Sequence, residues 1–146
     1  MEDPRYENCS RCYGGDFAPK EIVAGAILAA KRYDCEIVLV GDQTQIQKEL
    51  DKNYPEWRKS TISIHHASDV VGMGEHPGVA VRRKKDSSIV VATRLVKEGE
   101  CDAVLSAGNT GAAAASALFI LGRIKGIDRP SIATPYLQEK VALLYC

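Results

Sequence analysis

The chain has 146 residues, 45% hydrophobic and 26% charged, the composition of a folded globular domain and not of a disordered segment. Its 19 basic side chains balance 19 acidic ones. There is no global field to hold nucleic acid or an anionic membrane, so any anion must be recognised locally. The longest apolar run, Ala112 to Leu121, is about half of the ~20 residues a bilayer crossing needs. Met1–Tyr13 is polar with both charge signs and does not read as a signal peptide, so a cytoplasmic chain is expected. The cysteines Cys9, Cys12, Cys35, Cys101 and Cys146 have no framework spacing, and most read as small apolar residues of a reducing compartment.

Residues 1–13 show neither strand alternation nor a helical stripe and read as irregular. A turn at Gly14-Gly15-Asp16 then leads into a helix whose apolar face is Ile22, Val23, Ala26, Ile27, Ala30 and Tyr33. Glu36–Val40 reads as a buried parallel strand. Asp42 with Gln45 resembles a capping box for a helix through about Leu50, and Lys52–Lys59 reads as a loop. Thr61–His65 alternates as a strand does, and His66–Pro77 is too glycine-rich for a regular element. Ser87 or Ser88 can cap a helix that buries Ile89, Ala92, Leu95 and Val96 and stops at Gly99. Asp102–Ser106 reads as a short apolar strand, followed by a turn and an alanine-rich helix ending near Gly122. Val141–Tyr145 reads as one more strand. Short strands alternating with helices predict an α/β domain with a parallel sheet. Ligands in such sheets sit at the carboxyl ends of the strands.

That geometry ranks the motifs. Ser106-Ala107-Gly108-Asn109-Thr110-Gly111-Ala112 stands at a strand-to-helix turn. Its glycines admit close approach, and the amides of Thr110, Gly111 and Ala112 would face an anion at the positive end of a helix. Ser106, Asn109 and Thr110 add neutral hydrogen bonds. A tight turn that Asn109 simply caps fits the same residues. The run Arg82-Arg83-Lys84-Lys85, with Ser87 and Ser88 beyond, offers a phosphate or carrier-docking patch, or a solvated helix end. Gly14, Gly15 and Asp16 form a third glycine-rich turn. His65, His66 and His76 lack metal-ligand spacing, and Cys9 with Cys12 is a lone pair without partners, so no metal is expected.

Taken in order, GGDFAPKEIVAGAILAAK (14–31), EIVLVGD (36–42), ISIHHASDVVGM (62–73), HPGVAVRRKKDSSIVVATRLVKEG (76–99) and DAVLSAGNTGAAAASALFILGRIKGIDRP (102–130) resemble one family. It is the phosphate acyltransferases of bacterial phospholipid synthesis, the PlsX proteins. The resemblance covers about nine-tenths of this chain and under half of a family member. It implies a three-layer, doubly wound, mostly parallel sheet like those of the isocitrate/isopropylmalate dehydrogenase and phosphotransacetylase group, incomplete here. It implies transfer of a long-chain acyl group from acyl carrier protein to inorganic phosphate, giving acyl phosphate for a downstream glycerol-3-phosphate acyltransferase. No cofactor, metal or covalent nucleophile enters that reaction. It implies a homodimer, cytoplasmic or peripheral to the inner face of the membrane. Contacts to phosphate or acyl phosphate carry over to Ser106, Gly108, Asn109, Thr110 and Gly111. Lys84, Lys85, Ser87 and Ser88 come next, then Gly14, Gly15 and Asp16. Asn109, Lys84 and Lys85 are the candidates for catalytic roles.

Departures from the family pattern set two further expectations. The family's opening strand is replaced by Asn8–Tyr13, which predicts a missing inner strand and two rows of unpaired backbone groups beside it. Residues 14–146 then form a truncated N-terminal part of the family domain, and Gly74, Ala114 and Ser131 depart from its usual residues. The alternatives are an inactive remnant that at most binds phosphate and a carrier-protein-docking module.

Overall fold

A computed structural model describes residues 6–11, 17–128, 131–132, 134–138 and 141–145. The principal sheet has four parallel strands in the order β3-β2-β1-β4. They are β1 (Tyr6–Arg11), β2 (Cys35–Gly41), β3 (Ile62–His66) and β4 (Ala103–Ser106). The chain steps from β1 outward through β2 to β3, then returns to place β4 on the opposite side of β1. That reversal of direction is a topological switch point, at which α/β sheets open a crevice beyond the strand ends.

The strand β1 corrects the expectation of an irregular start and an empty inner position. Asn8 stands opposite Ile37 of β2 and Ala103 of β4, so the backbone pairs on both sides. Neither Asn8 nor Ser10 has strong strand propensity, yet Ser10 is buried. A slot between two parallel neighbours offers ladder hydrogen bonds to any sequence, and this context outweighs side-chain preference.

Helices lie on both faces. On one, α1 (Lys20–Arg32) and α2 (Gln43–Asn53) bury Val23, Ile27, Ile46 and Leu50 against Ile37, Leu39 and Ile62. On the other, α4 (Ser88–Glu98) packs Val91, Ala92 and Leu95 on Val38 and Val40. Strand period two sends alternate β2 residues to opposite layers, so its near-continuous apolar run is buried on both faces. The capping box is present: Asp42 Oδ1 accepts from the Gln45 amide at 3.1 Å and Oδ2 from its Nε2 at 2.9 Å. The helix runs three residues past the expected Leu50, to Asn53. Gly99 stops α4 at φ +78°, a left-handed conformation that glycine adopts without Cβ strain.

A helix not foreseen, α3 (Pro77–Arg83), precedes α4, and α5 (Thr110–Ser116) continues as a π-helical turn over Ala117–Leu121. Gly122 ends this segment, as expected, at φ +89°. Val141–Tyr145 is a strand, β6, but it pairs antiparallel with β5 (Thr134–Gln138) in a separate two-stranded sheet. One reading of burial is also corrected: Tyr33, assigned to the apolar face of α1, is 60% exposed. In the short apolar strand β4, Leu105 is 68% exposed. Cys35 is a free thiol, whereas Cys101 is disulfide-bonded and not an ordinary small apolar residue. Among the described residues no helix is long and apolar enough to cross a membrane.

Candidate functional site

The turn 106–111 leaves the carboxyl end of β4 beside that of β1, since Ser106 pairs with Arg11. Ser106 closes the strand and is half-buried, as is Gly108 in the turn. Asn109 is only 7% exposed and caps α5, its Oδ1 accepting from the Ala112 amide at 2.9 Å. One of the three amides expected to face an anion is therefore used inside the helix cap. Thr110 is exposed at the helix start, and its amide and that of Gly111 belong to the first turn, where helices leave donors unpaired.

Asn109 does more than cap. Its Nδ2 lies within donating distance of three carbonyls of the preceding loop, those of Gly72 (3.1 Å), Met73 (3.3 Å) and Glu75 (3.4 Å). Gly111 explains the close approach of the same region. A Cβ there would stand 2.6 Å from Cγ of Pro77, the first residue of α3. The two signature residues thus serve as a clasp as well as a turn, joining the start of α5 to the loop 72–75 and to α3.

The basic run is not gathered into one patch. The guanidinium of Arg82 lies 4.8 Å from the ring centroid of Phe119, and Arg83 and Lys85 are exposed. Lys84 turns inward. Its Nζ sits 2.8 Å from Glu75 Oε1 and 3.4 Å from Asp69 Oδ1, and donates to the Val70 carbonyl at 2.7 Å. Glu75 Oε1 also accepts from the Gly72 amide at 2.8 Å. The ammonium of Lys84, then the Gly72 amide, hold the Glu75 carboxyl below the ordinary carboxylate range. Glu75 in turn raises Lys84 above the usual lysine value. Lys84 has become a strut for the loop 69–75 and carries its positive charge with two carboxylates beside it.

The serines are similarly committed. Ser87 and Ser88 are fully buried at the start of α4, and Ser87 Oγ donates to the Lys84 carbonyl at 2.8 Å instead of capping its own helix. The Ser87 and Ser88 amides donate to the carbonyls of Lys84 (3.1 Å) and Asp69 (3.0 Å). Asp86, whose carboxyl is held low by the Ser68 hydroxyl and amide, fastens the other end of the loop. Sequence reading gave no role to Ser68, Asp69, Glu75 or Asp86. The pairs that matter, Ser68 with Asp86 and Glu75 with Lys84, are 18 and 9 residues apart across a glycine-rich loop, where no periodicity links them. The candidates Gly14, Gly15 and Asp16 lie outside the described residues.

The turn, the loop and the helix starts therefore form one cross-braced unit at the strand ends, with Thr110 exposed beside it. Residues 11–144 match the family described as fatty acid synthesis protein. The chain belongs to that family. It is 62% identical over 133 residues to the phosphate acyltransferase of Desulforamulus reducens, covering 90% of this chain and 39% of that one. The phosphate acyltransferase of Pelotomaculum thermopropionicum is 58% identical over 127 residues, covering 87% and 36%. That of Clostridioides difficile is 46% identical over 133 residues, covering 90% and 38%. The chain thus spans between 36 and 39% of the length of these curated relatives.

Proposed function

We propose that this chain carries the phosphate-holding portion of an acyltransferase that moves a long-chain acyl group from acyl carrier protein to inorganic phosphate. The observation that carries this reading is the cross-braced turn 106–111 at the switch point, in a chain 62% identical to a named phosphate acyltransferase over 133 residues. Phosphate is the nucleophile of such a transfer, so the protein's task is to fix it in place and to stabilise charge developing on the thioester oxygen. Thr110 and Gly111 supply amides, Ser106 and Thr110 hydroxyls, and Gly108 an unobstructed approach. Asn109 orients these groups, since both ends of its amide are engaged with the protein. Lys84 acts through the loop, and Lys85, exposed like Arg83, is free of that strut to meet an anionic substrate or the acidic carrier protein. Ser87 and Ser88 contribute by seating the loop, and Gly14, Gly15 and Asp16 belong to the same reading by family resemblance. That resemblance also brings the homodimer, the cytoplasmic or membrane-peripheral location, the dehydrogenase-like doubly wound sheet and the downstream glycerol-3-phosphate acyltransferase.

The 36–39% coverage favours a second reading for the chain by itself, phosphate binding without acyl transfer. Titration of inorganic phosphate followed by phosphorus NMR, alongside release of free carrier protein from a palmitoyl thioester, separates the two. Saturable binding with release supports the transferase, and binding alone supports the second reading. Absence of binding removes both.

A further inference from the structure

α3 and the segment 110–121 lie side by side and run in the same direction. Pro77 stands against Gly111 at one end, and the Arg82 guanidinium over the Phe119 ring at the other. At that second end the two meet α4 around a cleft of about 440 Å³, within the size range of small-ligand pockets. Its apolar lining includes Val90 of α4, 2% exposed, with Phe119 and Ile120. Its rim carries three exposed cations, Arg82, Lys85 and Arg94. Two of them are held in place by uncharged groups. Arg82 lies 4.8 Å from the Phe119 ring centroid, and Arg94 donates from Nη2 to the Lys85 carbonyl at 3.0 Å. Asp86 feels the charge of Arg94, but its carboxyl accepts from the Ser68 hydroxyl and amide. Among the described residues no carboxylate lines the cleft or forms an ion pair with any of the three cations.

We propose that this cleft binds an anionic amphiphile, a single apolar chain that ends in a carboxylate or a phosphate. Three like charges gathered on one rim repel one another, and a chain with 19 basic and 19 acidic residues has no general surplus to account for them. An anion relieves that repulsion, and guanidiniums fixed beforehand lose little freedom in meeting it. The floor asks for more than a bare anion. Val90, Ile120 and the Phe119 ring offer nothing to a phosphate, whereas an apolar chain gains by leaving water against them. A wholly apolar ligand leaves the cations unanswered. A protein partner would need a broader face, since seven residues line the cleft and a protein interface recruits about 20–30 a side. The cleft is also distinct from the turn 106–111, because Phe119 follows Thr110 by nine residues, about 13 Å of helix. Lys85 serves both this site and the proposed activity, whereas Arg94 and Phe119 belong to this one alone.

The test is isothermal titration calorimetry of the full chain with decanoate and decyl phosphate, each below its micellar concentration. Inorganic phosphate is present in excess throughout, so the outcome is the same whether or not the turn 106–111 binds it. The expected result is saturable one-to-one binding of both probes, with decanol bound about ten-fold more weakly or less. Arg94→Gln keeps a donor for the Lys85 carbonyl and loses the charge, and Phe119→Ser removes the ring. Each should weaken binding about ten-fold. Arg83→Gln is the control, because Arg83 is an exposed cation of the same run that does not line the cleft. Circular dichroism establishes that each variant keeps its helices. If Phe119→Ser unfolds, Arg94→Gln decides. The proposal is overturned if neither probe binds saturably, if decanol binds as well as the anions, or if both cleft variants bind like wild type. Binding of phosphatidylglycerol vesicles or of polyglutamate without either probe overturns it equally, and assigns the face to a membrane or to an acidic polypeptide.

Discussion

β2 and β4 are both short apolar strands, both parallel to β1 and both hydrogen-bonded to it, yet one is core and the other is surface. From Ile37 to Gly41 β2 is buried, with α1 and α2 on one face and α4 on the other. In β4 Val104 meets the α4 layer, whereas Ala103 and Leu105 are exposed. The difference lies in what covers the strand and not in the strand. An apolar run in a sequence states a need for burial and not its fulfilment.

This comparison gives the largest expected effect. Leu39 is fully buried in β2, so Leu39→Ala should cost ~2–5 kcal/mol in urea unfolding. Leu105→Ala should stay within about 0.5 kcal/mol of wild type. Equal losses would mean that Leu105 is covered in solution. At the seam between the two flanks, Gly111→Ala pushes a methyl against the Pro77 ring and should cost about 1–3 kcal/mol, read as a lowered melting temperature.

Asn109→Ala removes the α5 cap and the donor to three loop carbonyls. The cap alone accounts for about 1 kcal/mol. Phosphate affinity should fall further than that loss of stability accounts for, which titration beside urea unfolding will measure.

The smallest effect sits in the Lys84–Glu75 strut. The Glu75 carboxyl is held low, so the unfolded chain binds the proton more readily, and stability from this group is lost as pH falls through its lowered value. Lys84 is held high, so its contribution persists through neutral pH and is lost only as pH rises through its raised value. The melting-temperature gap between wild type and Glu75→Gln should therefore narrow as pH falls below the ordinary glutamate range. A gap that does not change with pH would mean that Glu75 holds the loop through shape alone.

The α/β alternation, the Asp42 capping box and the Gly99 stop were legible because each is a local pattern with a local physical cause. So was the turn 106–111, where two glycines and an asparagine follow an apolar strand. The strand β1 was not legible, because Asn8 and Ser10 adopt it for the backbone partners on either side. Nor was the fate of Lys84, which reads as one of four adjacent cations until α3 turns it toward Glu75 and Asp69. α3 itself escaped notice because its seven residues are too few for a periodic stripe to stand out. The exposure of Leu105 depends on a layer that no residue of β4 encodes.

The central claim is that the turn 106–111 holds phosphate, and a thermal melt followed by circular dichroism tests it directly. With phosphate at about a hundred times its dissociation constant the chain should gain ~2.7 kcal/mol, a rise of several degrees in melting temperature. Chloride at equal ionic strength should give no such rise, and Asn109→Ala should respond far less. A melt that phosphate leaves unchanged, or that phosphate and chloride raise alike, would contradict the claim.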